Sequence, residues 1–589
     1  MMAACAETVE KGGILLAEAG TGTGKTFAYL IPLILSGKKA IVSTKTINLQ
    51  GQLYSKDLKF LSEIKSFDYA IAKGRSNYMC LRRFNAFPAE STQEEAEHAQ
   101  LTSWASTTRT GDREDIETAK RPSIWEKICS DTDACKGFNC IYYEQCFYYT
   151  AKRKRDKAQI IVANHSLIGI HSMIKEGKIL PKADVLVVDE AHALDSVLSE
   201  IIGTTISNTR FDSIMNRFLN FDKDDIPKSI LSASLHLFKD IELLKSEVSS
   251  MWKALRIRHK NMELIKNLKG KGALVKSSSS IKSLIIKIKG SATGLFKEDQ
   301  EIELIAALRR LERFADDLVA FGRKADGLVR WMEIKGDKTT FRLAPLYPRD
   351  FVLKKIVPKY KSLILTSATL SVANDFGYTA RMLGLENSKT ISLPSPYNMR
   401  QQVSPKLRRG IDLDTAEGIK KLAQTVLNEA YKKDGGILVL FTSREIMRKA
   451  WNLCFTDLKE HGFRPMLQGE IANKMIVDVM RNCTNSVVFG LDSFWEGVDI
   501  KGDSLKCLII TKLPFEVPST PMPKARMLDM ENKGENSFYK YLLPRAILKF
   551  KQGFGRLIRS ESDIGRVIIC DERIATEKYG SKFIKSVLS

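Results

Sequence analysis

Long apolar stretches are absent from this sequence. No run approaches the roughly 18 residues that a membrane-spanning helix requires; the longest candidate, residues 27–35, is short and contains Pro32. The first ten residues, MMAACAETVE, carry neither the positive flank nor the apolar core of a secretory signal. The sequence therefore predicts a cytosolic protein without membrane association.

Acidic residues are too few to balance the basic ones. The 589 residues include 92 Lys and Arg but only 69 Asp and Glu, which leaves a net charge of +23. Between residues 253 and 289 there are eleven Lys or Arg and one acid, Glu263, a local net charge of +10. Composition alone fits either a polyanionic partner or a solubilising surface, and the concentration of charge in one segment favours the polyanion.

Tight CxxC pairs, common in structural zinc sites, are also absent. Without a secretory signal, the ten cysteines indicate thiols or metal ligands, not disulfides. Four of them, Cys80, Cys135, Cys140 and Cys146, have the spacing C-x54-C-x4-C-x5-C. This spacing is compatible with a metal site, but it chooses neither zinc nor iron–sulfur and does not exclude buried thiols. Cys129 is expected to pack in a core.

A glycine-rich loop lies close to the start of the chain. Residues 13–18 (GILLAE) predict a buried strand, and the apolar segment FAYLIPLIL after the loop predicts a helix. Strand, loop and helix together are typical of a phosphate-binding loop, whose backbone N–H groups and helix N-terminus attract phosphate oxygens. Lys25 should reach the β- and γ-phosphates, and the Thr26 hydroxyl should bind Mg²⁺. The loop residues are Ala19 (where the strict pattern has Gly), Gly20, Thr21, Gly22, Thr23, Gly24, Lys25 and Thr26.

A pair of carboxylates follows a second predicted strand. Residues 184–188 (DVLVV) are largely apolar and run into Asp189 and Glu190. The carboxyl end of a strand is where a parallel sheet places its chemistry. Asp189 is expected to hold Mg²⁺ through water, and Glu190 to orient and deprotonate the attacking water.

These motifs occur in a recognisable order. The phosphate loop, the DEAH run at 189–192, the TSAT run at 366–369 and the QGFGRLIR run at 552–559 follow one another as in superfamily 2 helicases. The runs ANH at 163–165, LFTSR at 440–444 and FWEGVD at 494–499 resemble the XPD/DinG branch, and within it the bacterial DinG and YoaA group. The resemblance covers nearly the whole chain.

The resemblance implies an α/β fold with two RecA-like P-loop lobes built on parallel sheets. It also implies a four-cysteine iron–sulfur insert and a helical arch insert in the first lobe. The expected division is first lobe 1–78, iron–sulfur insert 79–150, first lobe 151–206, basic helical arch 207–343, first lobe 344–395 and second lobe 396–589.

The resemblance also implies roles for individual residues. Cys80, Cys135, Cys140 and Cys146 would hold a [4Fe–4S] cluster, and Asp499 would join the loop in binding ATP. Ser367 and Thr369 would link the γ-phosphate to the nucleic-acid groove, and Glu496 would couple the two, although such residues equally serve as caps and turns. Arg556 and Arg559 would act as arginine fingers, and their spacing places them on one face if they lie on a helix. The implied catalytic set is Lys25, Asp189, Glu190, Gln552, Arg556 and Arg559.

One feature departs from the wider superfamily. Relatives of this type usually carry a glutamine ahead of the phosphate loop that recognises adenine, whereas the first glutamine here is Gln50. The preference for ATP is therefore implied by the resemblance alone.

The implied activity is ATP-driven, 5′ to 3′ translocation on single-stranded DNA with unwinding of forked DNA. We expect binding without sequence preference, by a monomer, in DNA repair or replication in the bacterial cytosol or nucleoid. Two alternatives remain: an RNA helicase of the DEAH type, and a nucleic-acid clamp whose ATPase only switches its conformation.

The inserted segments carry further expectations. Apolar residues at helical spacing through 235–255 predict a helix core, and alternating runs at 328–334 and 339–343 predict a hairpin. Residues 277–280 (SSSS) predict an exposed turn or flexible loop. Thr44, Gln50 and Gln52 are expected to contact the nucleic-acid strand. Of the aromatic residues in the cysteine segment, one or two are expected to contact bases.

Overall fold

In the computed structural model, the described residues are 1–20, 22–87, 89, 91–116, 122–174, 179–219, 235–292, 298–323, 326–495 and 502–588. Their strands form two parallel sheets and one small antiparallel sheet. The strands are β1 (Gly13–Ala19), β2 (Ala40–Thr44), β3 (Tyr69–Ile71), β4 (Ile160–Asn164), β5 (Val185–Asp189), β6 (Thr204–Ser207), β7 (Leu328–Lys335), β8 (Lys338–Pro345), β9 (Ser362–Ser367), β10 (Lys389–Leu393), β11 (Val403–Leu407), β12 (Ile437–Leu440), β13 (Arg464–Leu467), β14 (Ser486–Gly490), β15 (Cys507–Ile510) and β16 (Gly565–Ile569).

The first lobe is built on a seven-stranded sheet. Its order is β10-β1-β9-β5-β2-β4-β3, and the neighbouring strands pair in parallel. The central strands are almost wholly buried because helices cover both faces of the sheet. The helices of this lobe are Met2–Lys11, Lys25–Ser36, Ile47–Gln52, Lys59–Ile64, His165–Met173, Leu194–Ile202, Arg349–Phe351 and Gly377–Leu383.

The second lobe repeats the design with a six-stranded sheet. Its order is β11-β16-β15-β12-β14-β13, again with parallel pairing. Two parallel-sheet lobes confirm the fold class expected from the sequence. The helices of this lobe are Met399–Gln402, Ala416–Ala430, Arg444–Glu460, Asn473–Asn482, Asp492–Trp495, Pro521–Asn532, Leu543–Phe554, Arg573–Thr576 and Gly580–Leu588.

The four-cysteine segment forms a small module with a core of its own. Its helices are Leu81–Asn85, Thr92–Thr107, Trp125–Ile128 and Phe147–Lys157. Met79, Phe84, Trp125 and Cys129 are buried together there. The prediction that Cys129 packs in a core is confirmed.

Long helices form the second insert. They are Asn208–Leu219, Leu235–Arg258, Lys271–Ala292 and Glu298–Gly322, and we call them the arch. The apolar stripe of Leu235–Arg258 lies in the arch core from Ile241 to Leu255. The predicted hairpin is also confirmed: β7 and β8 pair antiparallel around Gly336, whose φ of 57° suits a tight turn, and β6 pairs with β8.

The prediction of an exposed turn at residues 277–280 is wrong. These serines lie inside the helix Lys271–Ala292, and Ser277 and Ser278 are buried. The Ser278 hydroxyl donates to the Ala315 carbonyl at 2.8 Å, and the Ser280 hydroxyl donates to Glu247 at 3.0 Å. Because neighbouring helices accept these hydrogen bonds, the serines can pack within the bundle.

The arch contacts the four-cysteine module through ion pairs. Arg82 Nη2 lies 2.8 Å from Glu303 Oε1, and Arg83 Nε lies 3.2 Å from the same oxygen. Arg310 pairs with Asp131, and Arg313 pairs with Asp133. The arch residues in these ion pairs, Glu303, Arg310 and Arg313, all belong to the helix Glu298–Gly322. This helix therefore attaches the arch to the module.

Among the described residues, no helix combines the length and apolarity needed to cross a bilayer.

A buried carboxylate anchors the outer face of the second lobe. Glu429 is 1% exposed; its oxygens lie 2.6 Å from Lys432 Nζ and 3.0 Å from Arg566 Nε. Burial raises the pKa of Glu429, but Lys432 and Arg566 outweigh that effect, so the pKa lies below its ordinary value. The ionised carboxylate therefore stabilises the folded lobe above its unfolded-state pKa of about 4.3.

We predict that Glu429→Gln lowers the melting temperature of the second lobe at pH 7. The cations are partly exposed, so the expected loss is about 1–3 kcal/mol, or roughly 5 °C. The difference from the wild type should narrow as the pH falls through the depressed pKa, because the wild-type carboxylate is then protonated. Differential scanning calorimetry at several pH values measures this difference in melting temperature.

Glu445→Gln is the matched control, since Glu445 is an exposed partner of Lys449. It should leave the melting temperature unchanged. An equal effect of both variants would contradict a stabilising role specific to Glu429.

Candidate active site

A cleft of about 1260 Å³ lies between the two lobes. The carboxyl ends of β1, β5 and β9 open onto it, as is usual for parallel sheets. Side chains from both lobes line it, including Lys25, Glu190, Thr369, Gln552, Arg556 and Arg559.

The phosphate loop leads from β1 into a helix. Ala19 is the last, buried residue of β1, and Lys25 is the first residue of the helix Lys25–Ser36. Gly22 and Gly24 have φ values of 80° and 71°, which a side chain would disfavour. Because the helix begins here, its positive partial charge faces the cleft, as phosphate binding requires. Gly20, Thr23 and Thr26 line the cleft, and Thr21 lies outside the described residues.

Two carboxylates face the loop from the end of β5. Lys25 Nζ lies 4.0 Å from Asp189 Oδ1 and 3.8 Å from Glu190 Oε1. The Tyr29 hydroxyl donates to Asp189 Oδ2 at 3.1 Å. Glu190 has a φ of 55°, a conformation that costs a residue with a side chain on the order of 1–3 kcal/mol. This turn directs the Glu190 carboxylate into the cleft, 3.8 Å from the ammonium group that would hold phosphate.

The two carboxylates have opposite pKa shifts. Burial raises the pKa of Asp189 to about 6. Burial also acts to raise the pKa of Glu190, but Lys25 and His192 outweigh it and hold that pKa well below its usual range; Arg556 adds to the lowering. Glu190 is therefore ionised at neutral pH, as a general base must be.

A serine and a histidine orient Glu190. The Ser367 hydroxyl donates to Glu190 Oε2 at 3.2 Å, and His192 Nδ1 lies 2.9 Å from the same hydroxyl oxygen. Ser367 ends β9, beside β5. The TSAT and DEAH runs, far apart in sequence, thus meet at one carboxylate.

The second lobe contributes the opposite wall. Gln552 Nε2 donates to Thr369 Oγ1 at 3.0 Å, which joins the two lobes directly. Arg556 and Arg559 do not lie on a helix, so the condition for a shared helix face is not met: the helix Leu543–Phe554 ends ahead of them, with Gly555 as its C-cap residue. Both lie in the loop of residues 555–563, which we call the arginine loop, and both line the cleft.

Sequence reasoning missed an ion pair that crosses the cleft. Lys551 Nζ lies 2.9 Å from Glu18 Oε1, and Glu18 Oε2 accepts from the Ser371 backbone N–H at 2.6 Å. A single acid within the apolar strand β1 was the available signal, because a buried charge needs a partner. Tyr29 was missed too, although it lies one helical turn after Lys25 and so shares its face.

A second buried ion cluster also joins the two lobes. Asp195 Oδ2 lies 3.4 Å from Arg526 Nη1 and 3.2 Å from Arg545 Nη1. Burial raises the pKa of Asp195, but Arg545 and Arg526 outweigh it and hold the pKa below its ordinary value. The Glu18–Lys551 pair and the Asp195 cluster are therefore two separate ionic connections between the lobes.

The expectation that Gln50 contacts the nucleic-acid strand is wrong. Its side chain is fully buried, and Nε2 donates to the carbonyls of Ala72 at 2.7 Å and Val162 at 2.9 Å. It ties the helix Ile47–Gln52 to the sheet. Gln52 lines the cleft, and Thr44 is buried with its hydroxyl 3.2 Å from the Thr46 carbonyl.

The four cysteines of the module are free thiols of intermediate exposure. Cys80 and Cys146 directly precede the helices Leu81–Asn85 and Phe147–Lys157. Burial raises the pKa of both, whereas at Cys135 the Arg75 guanidinium outweighs burial and the pKa lies below its ordinary value. Among the described residues, no three His, Cys, Asp or Glu side chains converge closely enough to hold a metal ion. Glu496 and Asp499 lie outside the described residues.

Family models match three parts of the chain. The DEAD/DEAH box helicase model matches residues 2–86, the DEAD_2 model residues 57–211, and the helicase C-terminal domain model residues 426–589.

Curated relatives match over the whole length. The ATP-dependent DNA helicase YoaA of Haemophilus influenzae is 31% identical, and that of Escherichia coli 32%, with 100% of this chain and 92% of each relative covered. The ATP-dependent DNA helicase DinG of Photobacterium profundum is 30% identical over 98% of this chain and 92% of its own length. A solved XPD helicase structure is 15% identical, with a TM-score of 0.63 over 100% of this chain and 97% of that one.

The fold and the cleft define a two-lobed helicase of superfamily 2, with its phosphate loop in one lobe and its arginine loop in the other. Within that superfamily, the chain belongs to the YoaA and DinG family.

We predict that Lys25→Ala abolishes nucleotide hydrolysis. The change removes the cation beside Glu190 and the phosphates, and the loss should be at least about 10²-fold in kcat. Binding to a single-stranded oligonucleotide should be mostly retained. The rate of nucleotide hydrolysis and the affinity for the oligonucleotide are measured on the same preparation. Lys11→Ala, at a 71% exposed side chain, is the control. Full activity of Lys25→Ala would discard the assignment of the phosphate loop.

Proposed function

We propose that this protein is an ATP-dependent DNA helicase that moves 5′ to 3′ along single-stranded DNA and displaces the partner strand. One observation carries the proposal: an ionised Glu190 stands beside Lys25, and Arg556 faces it from the other lobe. The YoaA and DinG relatives are named ATP-dependent DNA helicases, and the polarity follows from the resemblance to their family.

The hydrolytic step follows from the placement of these groups. Lys25 and the backbone N–H groups of the loop bind the phosphates. Glu190 accepts a proton from water as the water oxygen bonds to the γ-phosphorus, and the bond to the β–γ bridging oxygen breaks to release ADP and phosphate. Arg556 and Arg559 stabilise the developing charge, an effect worth roughly 10³–10⁵ in rate.

Mg²⁺ fits this site as the partner of ATP. Thr26 lines the cleft beside Lys25, and Asp189 lies 4.0 Å from the Lys25 ammonium group, so a hydroxyl and a carboxylate stand where hard cations find oxygen ligands. Thr26 and Asp189 would hold the ion, which supplies charge neutralisation at the phosphates when bound.

Contacts across the cleft support coupling of hydrolysis to movement. The Glu18–Lys551 pair and the Thr369–Gln552 hydrogen bond connect the end of β1 and the TSAT run to the helix that precedes the arginine loop. A change in cleft width therefore moves the arginines relative to the phosphates. Such gating is how ATP turnover becomes relative motion of the lobes.

The arch supplies a surface suited to phosphates. Ten of the eleven Lys and Arg between residues 253 and 289 are exposed, and Arg256 is half-exposed. In the module, Phe138 and Ile141 are 80% and 87% exposed beside Cys140. Exposed cations and an exposed ring suit backbone attraction and base stacking without sequence preference. We therefore propose single-stranded and forked DNA as the substrate.

We predict that the protein unwinds a fork with a free 5′ single-stranded arm in the presence of ATP and Mg²⁺, and not one with only a 3′ arm. Gel-based strand displacement measures this. ATP hydrolysis stimulated by DNA without any displacement would favour the clamp, and stronger stimulation by RNA of the same sequence would favour an RNA helicase.

We further propose that Cys80, Cys135, Cys140 and Cys146 hold a [4Fe–4S] cluster. The chemistry of the donor set supports it: these four thiols are partly exposed, whereas Cys483 alone among the remaining six is not buried. The cluster, when bound, would tie the chain segments of the module together.

Protein purified without oxygen should be brown, and Cys140→Ser should lose that colour together with its iron and sulfide. Cys483→Ser is the matched control, a partly exposed cysteine outside the module, and should keep both. Visible absorption and metal analysis provide the readout. A colourless wild-type protein loaded with zinc would reverse the assignment.

The cellular setting is also part of this proposal. The curated relatives are bacterial, and we propose that the protein works as a monomer in the bacterial cytosol or nucleoid, in DNA repair or replication. We propose the division into segments 1–78, 79–150, 151–206, 207–343, 344–395 and 396–589, with the first, third and fifth forming one lobe.

A further inference from the structure

The segment between the lobes contacts both sides of the nucleotide cleft. β10 ends the first lobe at Leu393, and β11 begins the second lobe at Val403. We call residues 394–402 the linker; it includes the short helix Met399–Gln402, which leads into the second lobe. Its side chains hold the arginine loop at several backbone atoms.

Gln402 is the first of these contacts. It is 7% exposed, and its Nε2 lies 2.9 Å from the Ser560 carbonyl, 3.0 Å from that of Glu561 and 2.9 Å from that of Asp563. The Asp563 carboxylate in turn accepts from the Arg559 backbone N–H at 2.7 Å. The end of the arginine loop is thus fixed from the linker and from within.

Tyr397 is the second contact, and it reaches the arginine itself. Its hydroxyl donates to the Arg559 carbonyl at 2.7 Å. Its ring also packs against the core of the second lobe. The phenol therefore sets the position of the backbone that carries the Arg559 guanidinium.

The same hydroxyl lies on the phosphate loop. A Cβ atom at Gly22 would stand 1.9 Å from the Tyr397 hydroxyl oxygen, and a Cβ at Gly20 would stand 2.9 Å from Ser395 Cα. Only residues without side chains allow the linker this close approach. A single tyrosine thus touches the loop that holds phosphate and the loop that carries a finger.

We propose that Tyr397 is a positioning residue for Arg559, whose hydroxyl keeps the arginine at a fixed distance from the phosphate loop. The inference rests on the proposed function, since it takes Arg559 to act on the γ-phosphate. Tyr397 touches no reacting atom in this scheme and acts through the Arg559 backbone. Nucleotide binding requires Lys25 and the loop and is left intact by loss of the hydroxyl.

Tyr397→Phe tests this, because it removes the donor and keeps the ring. With saturating single-stranded DNA, kcat for ATP hydrolysis should fall about threefold to tenfold, the factor that one hydrogen bond of ordinary net strength is worth. The KM for ATP should stay within about twofold. Tyr431→Phe is the matched control: it removes a tyrosine hydroxyl that donates to Asp457 on the outer helices of the second lobe, and it should leave kcat unchanged.

Combining Tyr397→Phe with Arg559→Ala tests whether the loss of kcat acts through Arg559. In the Arg559→Ala background, Tyr397→Phe should cause no further loss of kcat, because the group it positions is gone. An unchanged kcat for Tyr397→Phe alone, an equal loss in both backgrounds, or a loss confined to KM would each overturn this inference while leaving the helicase proposal standing. An Arg559→Ala enzyme with full kcat would overturn the assignment of the finger, and this inference with it.

Discussion

The charge of one carboxylate governs the rest of the site. Glu190 lies half-buried just after the carboxyl end of β5, next to a second carboxylate, where burial alone would favour its neutral form. Lys25 keeps it ionised from 3.8 Å away, and that lysine occupies its place because a glycine-rich turn starts a helix there. The phosphate loop and the DEAH run are therefore one electrostatic unit, in which the cation that we propose to bind phosphate also keeps the proposed base ionised.

The second lobe adds positive charge beside the same carboxylate. Arg556 lowers the pKa of Glu190 from the opposite lobe, so the position of that lobe affects the pKa of this carboxylate. The Glu18–Lys551 pair and the Asp195 cluster carry complementary charge across the cleft at two separate points. Together with the linker, these ion pairs hold the two lobes against each other around the cleft.

Much of this architecture could be predicted from the sequence, and the failures have physical causes. The central strands β12, β14 and β15 are buried on both faces, so they read as uninterrupted apolar runs. β11 was not predicted, because it is an edge strand with exposed Ser404 and Lys406 and a proline. Such an exposed edge strand shows neither the continuous apolar run of a central strand nor the alternation that predicted β7 and β8.

The errors at individual residues share a cause. The serines at 277–280 and the amide of Gln50 were taken as surface groups because their types are polar. The Ser278 hydroxyl and the Gln50 amide nitrogen instead donate to carbonyls of distant segments, those of Ala315 and Val162. Partners separated by tens to more than a hundred residues cannot be inferred from composition. The motif residues could be proposed from the sequence because their chemistry, and not their burial, fixes their types.

The backbone of Glu190 has a consequence for how this protein can change. The left-handed conformation at this position is strained for glutamate and relaxed for glycine or asparagine. A mutation to either residue would relax this backbone and stabilise the folded chain, and under the proposed mechanism it would also remove the base. Thermal stability and the proposed activity therefore place opposite demands on this residue. Selection for activity explains why the strained glutamate is kept.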